Sequence, residues 1–242
     1  MKKPHFFKSY TRVIRSLMSR HDEPEAMSLA VGGDFEVVGL LEYFLLLQCG
    51  LQRNQTVIDV GCGSGRLAFQ LREYLKGLFI GIDISPDLLE YARKISDRPD
   101  WKFYPAPGVT IPEPDNSADF ICFFSVFTHL HHEESFKYLR DARRVLKPGG
   151  KIIFSFLEYS LPCHWDLFMN SLKDTSPDKV MNQFISRDAI QIWADFLELQ
   201  ILEMHDGDKP HIHLDRVIRW EDGNEMRDRG YLGQSVCILT KK

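Results

Sequence analysis

Along the 242 residues the spacing of apolar positions changes period several times, and each change marks an element. Phe6, Tyr10, Val13, Ile14, Leu17 and Met18 recur at three and four, with Lys8, Arg12, Arg15 and Arg20 between them, which predicts an amphipathic helix. Such a helix suits a lid over a site, a flank packed on the domain, or a basic surface resting on a membrane. A second helix is predicted over residues 35–49, apolar on nearly every face except at Glu42 and closed by Gly50. Residues 56–60 form a short β-branched strand, 61–65 a glycine turn and 66–75 a helix. Residues 78–84 are a second strand closing on Asp83, and 86–95 a helix entered through Ser85-Pro86. Strands follow at 101–104, 119–125 and 151–157, with a helix over 133–146 before the turn Lys147-Pro148-Gly149-Gly150. The rhythm then loosens through a polar stretch at 173–179, and resumes with a helix at 183–196 and strands at 197–205 and 234–240. Residues 206–233 are left as a connection long enough to be functional.

Strands alternating with helices specify an α/β fold: a doubly wound, mostly parallel sheet with helices on both faces, three layers deep, joined by right-handed crossovers. The length fits one domain, with helices at 1–50, a ligand-binding core at 51–157 and further insertions and closing strands at 158–242.

Composition narrows the function. With 44% hydrophobic and 26% charged residues the chain is an ordinary globular protein, neither disordered, collagenous nor a coiled coil. Its 30 Lys and Arg against 34 Asp and Glu give a net charge of −4, so no global field attracts nucleic acid. Cys49, Cys62, Cys122, Cys163 and Cys237 show no metal-ligand spacing and read as reduced thiols of a cytoplasmic protein. Residues 1–9 lack the apolar core of a secretory signal, and the longest apolar stretch, 37–49, is too short to span a bilayer.

The strongest chemical signal is Asp59-Val60-Gly61-Cys62-Gly63-Ser64-Gly65, with Asp83 ending the next strand. Glycines there let backbone approach a ligand with no Cβ in the way, and an acid at the end of strand two accepts both hydroxyls of a ribose. This fits a dinucleotide or another adenosine-bearing cofactor. A dinucleotide turn wants a small residue three positions after Gly63, where Arg66 stands, and Asp59 would repel a pyrophosphate but attract a cation. An NAD(P)-dependent oxidoreductase is therefore the weaker alternative.

On these residues the chain resembles the class I S-adenosylmethionine-dependent methyltransferases. Residues 57–71 are similar to the family's first motif, Gly81-Ile82-Asp83-Ile84-Ser85-Pro86 to its second-strand acid, 116–130 to its fourth strand, and 143–152 to the turn into strand five. The resemblance implies a Rossmann-like seven-stranded sheet whose last strand, at 233–239, lies antiparallel between strands five and six. It implies S-adenosylmethionine as cofactor, with Asp59, Gly61, Cys62 and Gly63 at the methionine part and Asp83 on the ribose. Ile84 and Leu88 would then flank the adenine, and Phe124 and Ser125 lie beneath the cofactor. Gly32-Gly33-Asp34-Phe35 would close over the methionine end. The family's acid after strand three is missing, since the chain reads Tyr104-Pro105-Ala106-Pro107-Gly108 there.

Methyl transfer is an in-line displacement that needs alignment and a dry site, not a metal. A protonated acceptor needs a base, for which histidine is suited by its pKa. His129 follows strand four where the family often has a histidine near the sulfonium, and is the catalytic candidate. His131, His132, His164, His211 and His213 are further candidates, and His211-x-His213 lacks a third ligand for a metal. Phe123-Phe124-Ser125-Val126 is unlike the Pro-Pro-aromatic signature of nucleobase amino methylation. The stripe Lys137, Arg140, Arg144, Lys147 reads as the solvated face of a helix rather than a phosphate footprint. What remains is a small-molecule acceptor, methylated on oxygen and admitted between the N-terminal helix, residues 161–168 and the loop at 211–220, or else a cofactor-binding protein without turnover. Trp165, Phe168, Trp193 and Trp220 suit either an aromatic ligand or the core.

Overall fold

The computed structural model describes residues 7–175 and 179–241, with side chains from Thr11 onward. The start of the first helix at Phe6, the side chain of Tyr10 and part of the polar stretch at 173–179 therefore lie outside the described residues.

Four strands with little polar interruption form the centre of the fold. β1 (Val57–Val60), β2 (Phe79–Asp83), β4 (Ala118–Phe123) and β5 (Leu146–Phe156) are buried along most of their length, as strands covered on both faces must be. With β3 (Lys102–Pro105), β6 (Leu199–His205) and β11 (Ser235–Lys241) they make one seven-stranded sheet in the order β3-β2-β1-β4-β5-β11-β6. β11 runs antiparallel to both of its neighbours, and the pairings among the first five strands are parallel. This is the Rossmann-like three-layer architecture that the sequence resemblance implies.

An apolar cluster fills each side of the sheet. On one side α3 (Phe35–Gln48), α4 (Arg66–Leu71) and α5 (Pro86–Ser96) pack over Val57, Phe79 and Ile153. On the other, α6 (His132–Val145) and α8 (Arg187–Phe196) cover Ile58, Ile121 and Phe154. α1 (Phe7–Met18) and α2 (Glu23–Ala30) form a separate unit, whose Ile14, Met27 and Ala30 enclose Leu88 of α5.

Several boundaries differ from the sequence expectation. α2 was not expected. Asp22 starts it by accepting from the Glu25 amide at 3.0 Å, with proline in the first turn. α4 stops at Leu71 rather than residue 75, and α8 begins at Arg187 rather than 183, because Phe184 pairs with Leu157 in extended conformation. Lys147–Gly150 is not a free turn: Leu146 already pairs with Ala118, and the four residues bulge out before pairing resumes at Lys151. Within the loosened stretch α7 (Pro162–Lys173) forms a helix, and the long connection holds two small hairpins, β7 (Ile212–His213) with β10 (Arg229–Gly230) and β8 (Ile218–Arg219) with β9 (Glu225–Met226). No helix of the described residues is long and apolar enough to cross a membrane.

Candidate functional site

The carboxyl ends of β1, β2 and β4 open into a cleft of about 740 Å³, the position at which open α/β sheets hold ligands. Its floor is the glycine turn. Gly61 and Gly63 take left-handed φ of +77° and +53°, and the amides of Gly61 and Cys62 both donate to the Ile82 carbonyl at 2.7 and 3.1 Å. A Cβ on Gly61 would stand 2.4 Å from Val126, and one on Gly63 2.5 Å from Val31. The turn is thus a bare-backbone cradle that only glycine can line.

Asp83 closes the cradle from β2. One carboxylate oxygen accepts from the Gly63 amide at 3.0 Å and the other from the Ser85 amide at 2.9 Å. Burial pushes its pKa up, against the pull of these amides. Deeper still lie Asp59 and Glu42, nearly sealed from solvent. Burial raises both carboxyls, Asp59 well above the ordinary range with Glu42 and Asp83 adding repulsion, while Arg66 opposes the shift. Arg66 donates to Glu42 at 2.9 Å and to the Val31 carbonyl at 3.0 Å, so it does not plug the cleft. Glu42 and Asp59 share one arginine and hold their protons more tightly than free carboxyls, so a cationic ligand above them would favour their ionised forms.

Of the nine residues expected to touch cofactor, Gly61, Cys62, Gly63, Asp83, Ile84, Phe124 and Ser125 line the cleft. Asp59 and Leu88 do not line it: Asp59 lies beneath the turn, and Leu88 is enclosed by α1 and α2. Beyond Asp83 the wall is Ile84, Ala106, Leu130 and Tyr138. Pro105 and Pro107 have no amide proton, and that of Ala106 is spent on the Asp83 carbonyl at 2.8 Å. This end offers mainly apolar surface.

His129 also lines the cleft. It stands on a single 3₁₀ turn, Phe127–His129, with Nδ1 2.9 Å from the Met181 carbonyl. A carbonyl only accepts, so Nδ1 carries the proton and Nε2 keeps the lone pair. Burial lowers the pKa of the imidazole. Met181 belongs to a strap at 179–185, fixed where the Gln183 amide donates to the Thr128 carbonyl at 2.7 Å and the Ile185 amide to the Leu157 carbonyl at 2.8 Å.

The other histidines serve the scaffold. His131 starts α6, its amide donating to Glu134, and His132 contacts the Phe184 carbonyl. His164 is buried against the Glu158 backbone, and His211 stacks on His205 with ring centres 4.2 Å apart, while His213 pairs in β7. Among the described residues no group of three or more His, Cys, Asp or Glu could hold a metal ion. Arg144 and Lys147 of the basic stripe are engaged by Asp141, Asp115 and Asp119. Trp165 and Phe168 join Tyr159 and Phe184 in an aromatic cluster, Trp193 packs on Phe136, and Trp220 packs against the core. None of the four, Trp165, Phe168, Trp193 and Trp220, lines the cleft.

Sequence reasoning missed several residues of the site. Gln234 spans the ends of the strands, donating to Ser125 at 3.1 Å and accepting from Ser155 at 2.8 Å. Arg12, Lys179, Val180 and Tyr138 complete the walls. Glu42 left a signal, as a charge in the middle of an otherwise apolar helix, and so did Arg12, on a basic helix suited to a lid.

Residues 57–150 match the family model of a methyltransferase domain. Phosphoethanolamine N-methyltransferase 1 of Arabidopsis thaliana is 36% identical over 107 residues, which cover 43% of this chain and 21% of the relative. The ubiquinone/menaquinone biosynthesis C-methyltransferase UbiE of Citrobacter koseri is 31% identical over 156 residues, covering 62% of this chain and 59% of the relative. The chain thus spans between about a fifth and three fifths of the length of these curated relatives. The crystal structure of magnesium protoporphyrin IX methyltransferase from Synechocystis PCC 6803, with bound SAH, shares the fold at a TM-score of 0.63. It is 14% identical, over 98% of this chain and 97% of that one.

Proposed function

We propose that this chain is a class I S-adenosylmethionine-dependent methyltransferase, a reading supported by the methyltransferase-domain match over residues 57–150, and that it transfers a methyl group from S-adenosylmethionine to a small-molecule acceptor. The observation that carries this reading is the bare glycine cradle, braced by Asp83 and set above two buried acids, Asp59 and Glu42, and one arginine. When bound, the sulfonium cofactor supplies an activated methyl group.

The residues of the chain divide the remaining work. Gly61, Cys62 and Gly63 present backbone to the methionine part, and its ammonium and sulfonium would favour the ionised forms of Asp59 and Glu42 beneath, which then attract them. Asp83 takes the ribose hydroxyls, and Ile84, Ala106 and Tyr138 enclose the base. Val13, Leu29 and Val31 on one side and the strap on the other exclude water. His129 Nε2, kept unprotonated by burial and fixed in one tautomer by Met181, removes the proton of a hydroxyl acceptor, giving O-methylation.

Calorimetric titration with S-adenosylhomocysteine tests the cofactor assignment, and absence of binding at millimolar ligand rejects it. A screen of phenols, hydroxy acids, sugars and amines, read by homocysteine release, tests turnover. Binding with no turnover on any acceptor favours a cofactor-binding protein instead.

A further inference from the structure

Of the twelve large apolar side chains that stand exposed among the described residues, eight lie on α1, α2, α7 and the segments adjoining α7, and two of these, Leu29 and Val180, line the cleft. Trp165, Met169 and Leu172 recur at i, i+4 and i+7 along α7, forming one exposed stripe, and Leu172 keeps 61% of its surface in solvent. The stripe adjoins the cleft directly, because Ser171 of α7 is bonded by Lys179 and Asn182 of the strap, whose Val180 lines the opening. Leu29 and Met18, also exposed, stand on the opposite bank. Six of the chain's 30 Lys and Arg fall in residues 1–21, with none of its 34 acids, so the remainder carries a surplus of ten acids. Along α7 and the segment after it Asp166, Asp174 and Asp178 outnumber Lys173 and Lys179, so the positive surplus lies in residues 1–21, where α1 carries Lys8, Arg12 and Arg15 and Arg20 follows it.

We propose that this face docks onto a lipid surface bearing anionic headgroups, with α1 and the turn after it, through Arg20, supplying the cations and the α7 stripe inserting its apolar side chains. Exposed apolar side chains on helix tops, beside a basic helix and rimming an opening, match a lipid interface rather than a folded partner. Val13, Leu29, Val180 and Met181 extend the apolar lining from the rim into the cleft. A lipophilic acceptor can therefore pass from the bilayer into the site without crossing water, a consequence that rests on the proposed methyl transfer, whereas the docking does not.

The test is co-sedimentation of the full chain with phosphatidylcholine vesicles, with and without about 30% phosphatidylglycerol, at low and high salt. The expected result is at least about tenfold tighter binding to the anionic vesicles, weakened by salt. Leu172→Glu with Met169→Glu reduces it by a further order of magnitude or so, and Arg15→Gln and Arg20→Gln by about fivefold each. These residues lie outside the cleft, so affinity for S-adenosylhomocysteine is unchanged by all four substitutions, a readout that separates this proposal from the cofactor assignment. No preference for anionic vesicles overturns the proposal, as does binding indifferent to the charged substitutions on α7. Light scattering that shows a dimer split by Leu172→Glu assigns the stripe to a second copy of the chain and overturns it too.

Discussion

Replacing Gly63 by alanine probes the cradle where backbone conformation and packing meet. At φ +53° an L side chain costs about 1–2 kcal/mol in backbone strain. The new methyl would also sit 2.5 Å from a methyl of Val31, a stiff β-branched side chain, and forced overpacking adds about 1–3 kcal/mol. Gly63→Ala should therefore destabilise the fold by about 2–5 kcal/mol. The two contributions separate in a double-mutant cycle. Val31 is only partly buried, so Val31→Ala alone costs about 1 kcal/mol, and in that background the clash disappears while the strain persists. Gly63→Ala should then cost only about 1–2 kcal/mol, giving a coupling of about 1–3 kcal/mol. Urea unfolding of the four proteins, with slopes checked for constancy, measures each value. An equal cost of Gly63→Ala in both backgrounds would refute the packing of the α2 end onto the turn.

Three other substitutions address the ligand and the acids. Asp83→Asn should weaken S-adenosylhomocysteine by about 1.5–3 kcal/mol, roughly 10- to 150-fold in Kd, through lost charge-assisted hydrogen bonds. An unchanged calorimetric Kd removes Asp83 from the ribose site. His129→Asn should lower turnover of a hydroxyl acceptor by about 10²–10⁴ with cofactor affinity intact. Because burial lowers the His129 pKa, the wild-type rate should stay flat at neutral pH and fall only below the ordinary histidine range, and a fall setting in above that range contradicts the assignment. Arg66→Met should destabilise by about 3–5 kcal/mol at neutral pH, since it strands Glu42 and Asp59. Both acids have folded-state pKa values raised above 4.5 and 3.8, so the folded state holds protons that the unfolded chain releases. Their contribution to stability therefore falls as pH rises through that window, and the Arg66→Met deficit should shrink on acidification, as unfolding across pH will show.

Much of the frame was legible because its signals are local. β1 and β2 are short apolar runs ending at a glycine turn and an acid, β4 is another largely apolar run, and the three positive-φ glycines of the turn, Gly61, Gly63 and Gly65, could be named from spacing alone. α7 was missed because its apolar side chains face outward and are mixed with polar ones, which is not the pattern of a packed helix. Each strand of the hairpins at 212–230 has two residues, too few for any period to register. The Lys147–Gly150 run has turn composition yet sits within a strand, because its flanks are already paired. In the site, Gln234, Tyr138 and Met181 arrive from segments distant along the chain, and only the tertiary fold brings them to the strand ends. Trp165, Phe168, Trp193 and Trp220 stayed open between ligand and core for the converse reason, that an aromatic side chain carries no mark telling cleft from core, and the structure places none of them in the cleft.

The place of β11 bears on how the molecule assembles. β6 has no sheet neighbour except β11, which is threaded between it and β5. Residues 199–205 therefore cannot join the sheet until 235–241 have found β5, a pairing that closes a loop of some eighty residues. Long-range closure of this kind is slow. Until it happens β5 is an open edge, and an unpaired edge invites aggregation. Refolding should show its slow phase in probes on β6 and β11, after the first five strands have paired.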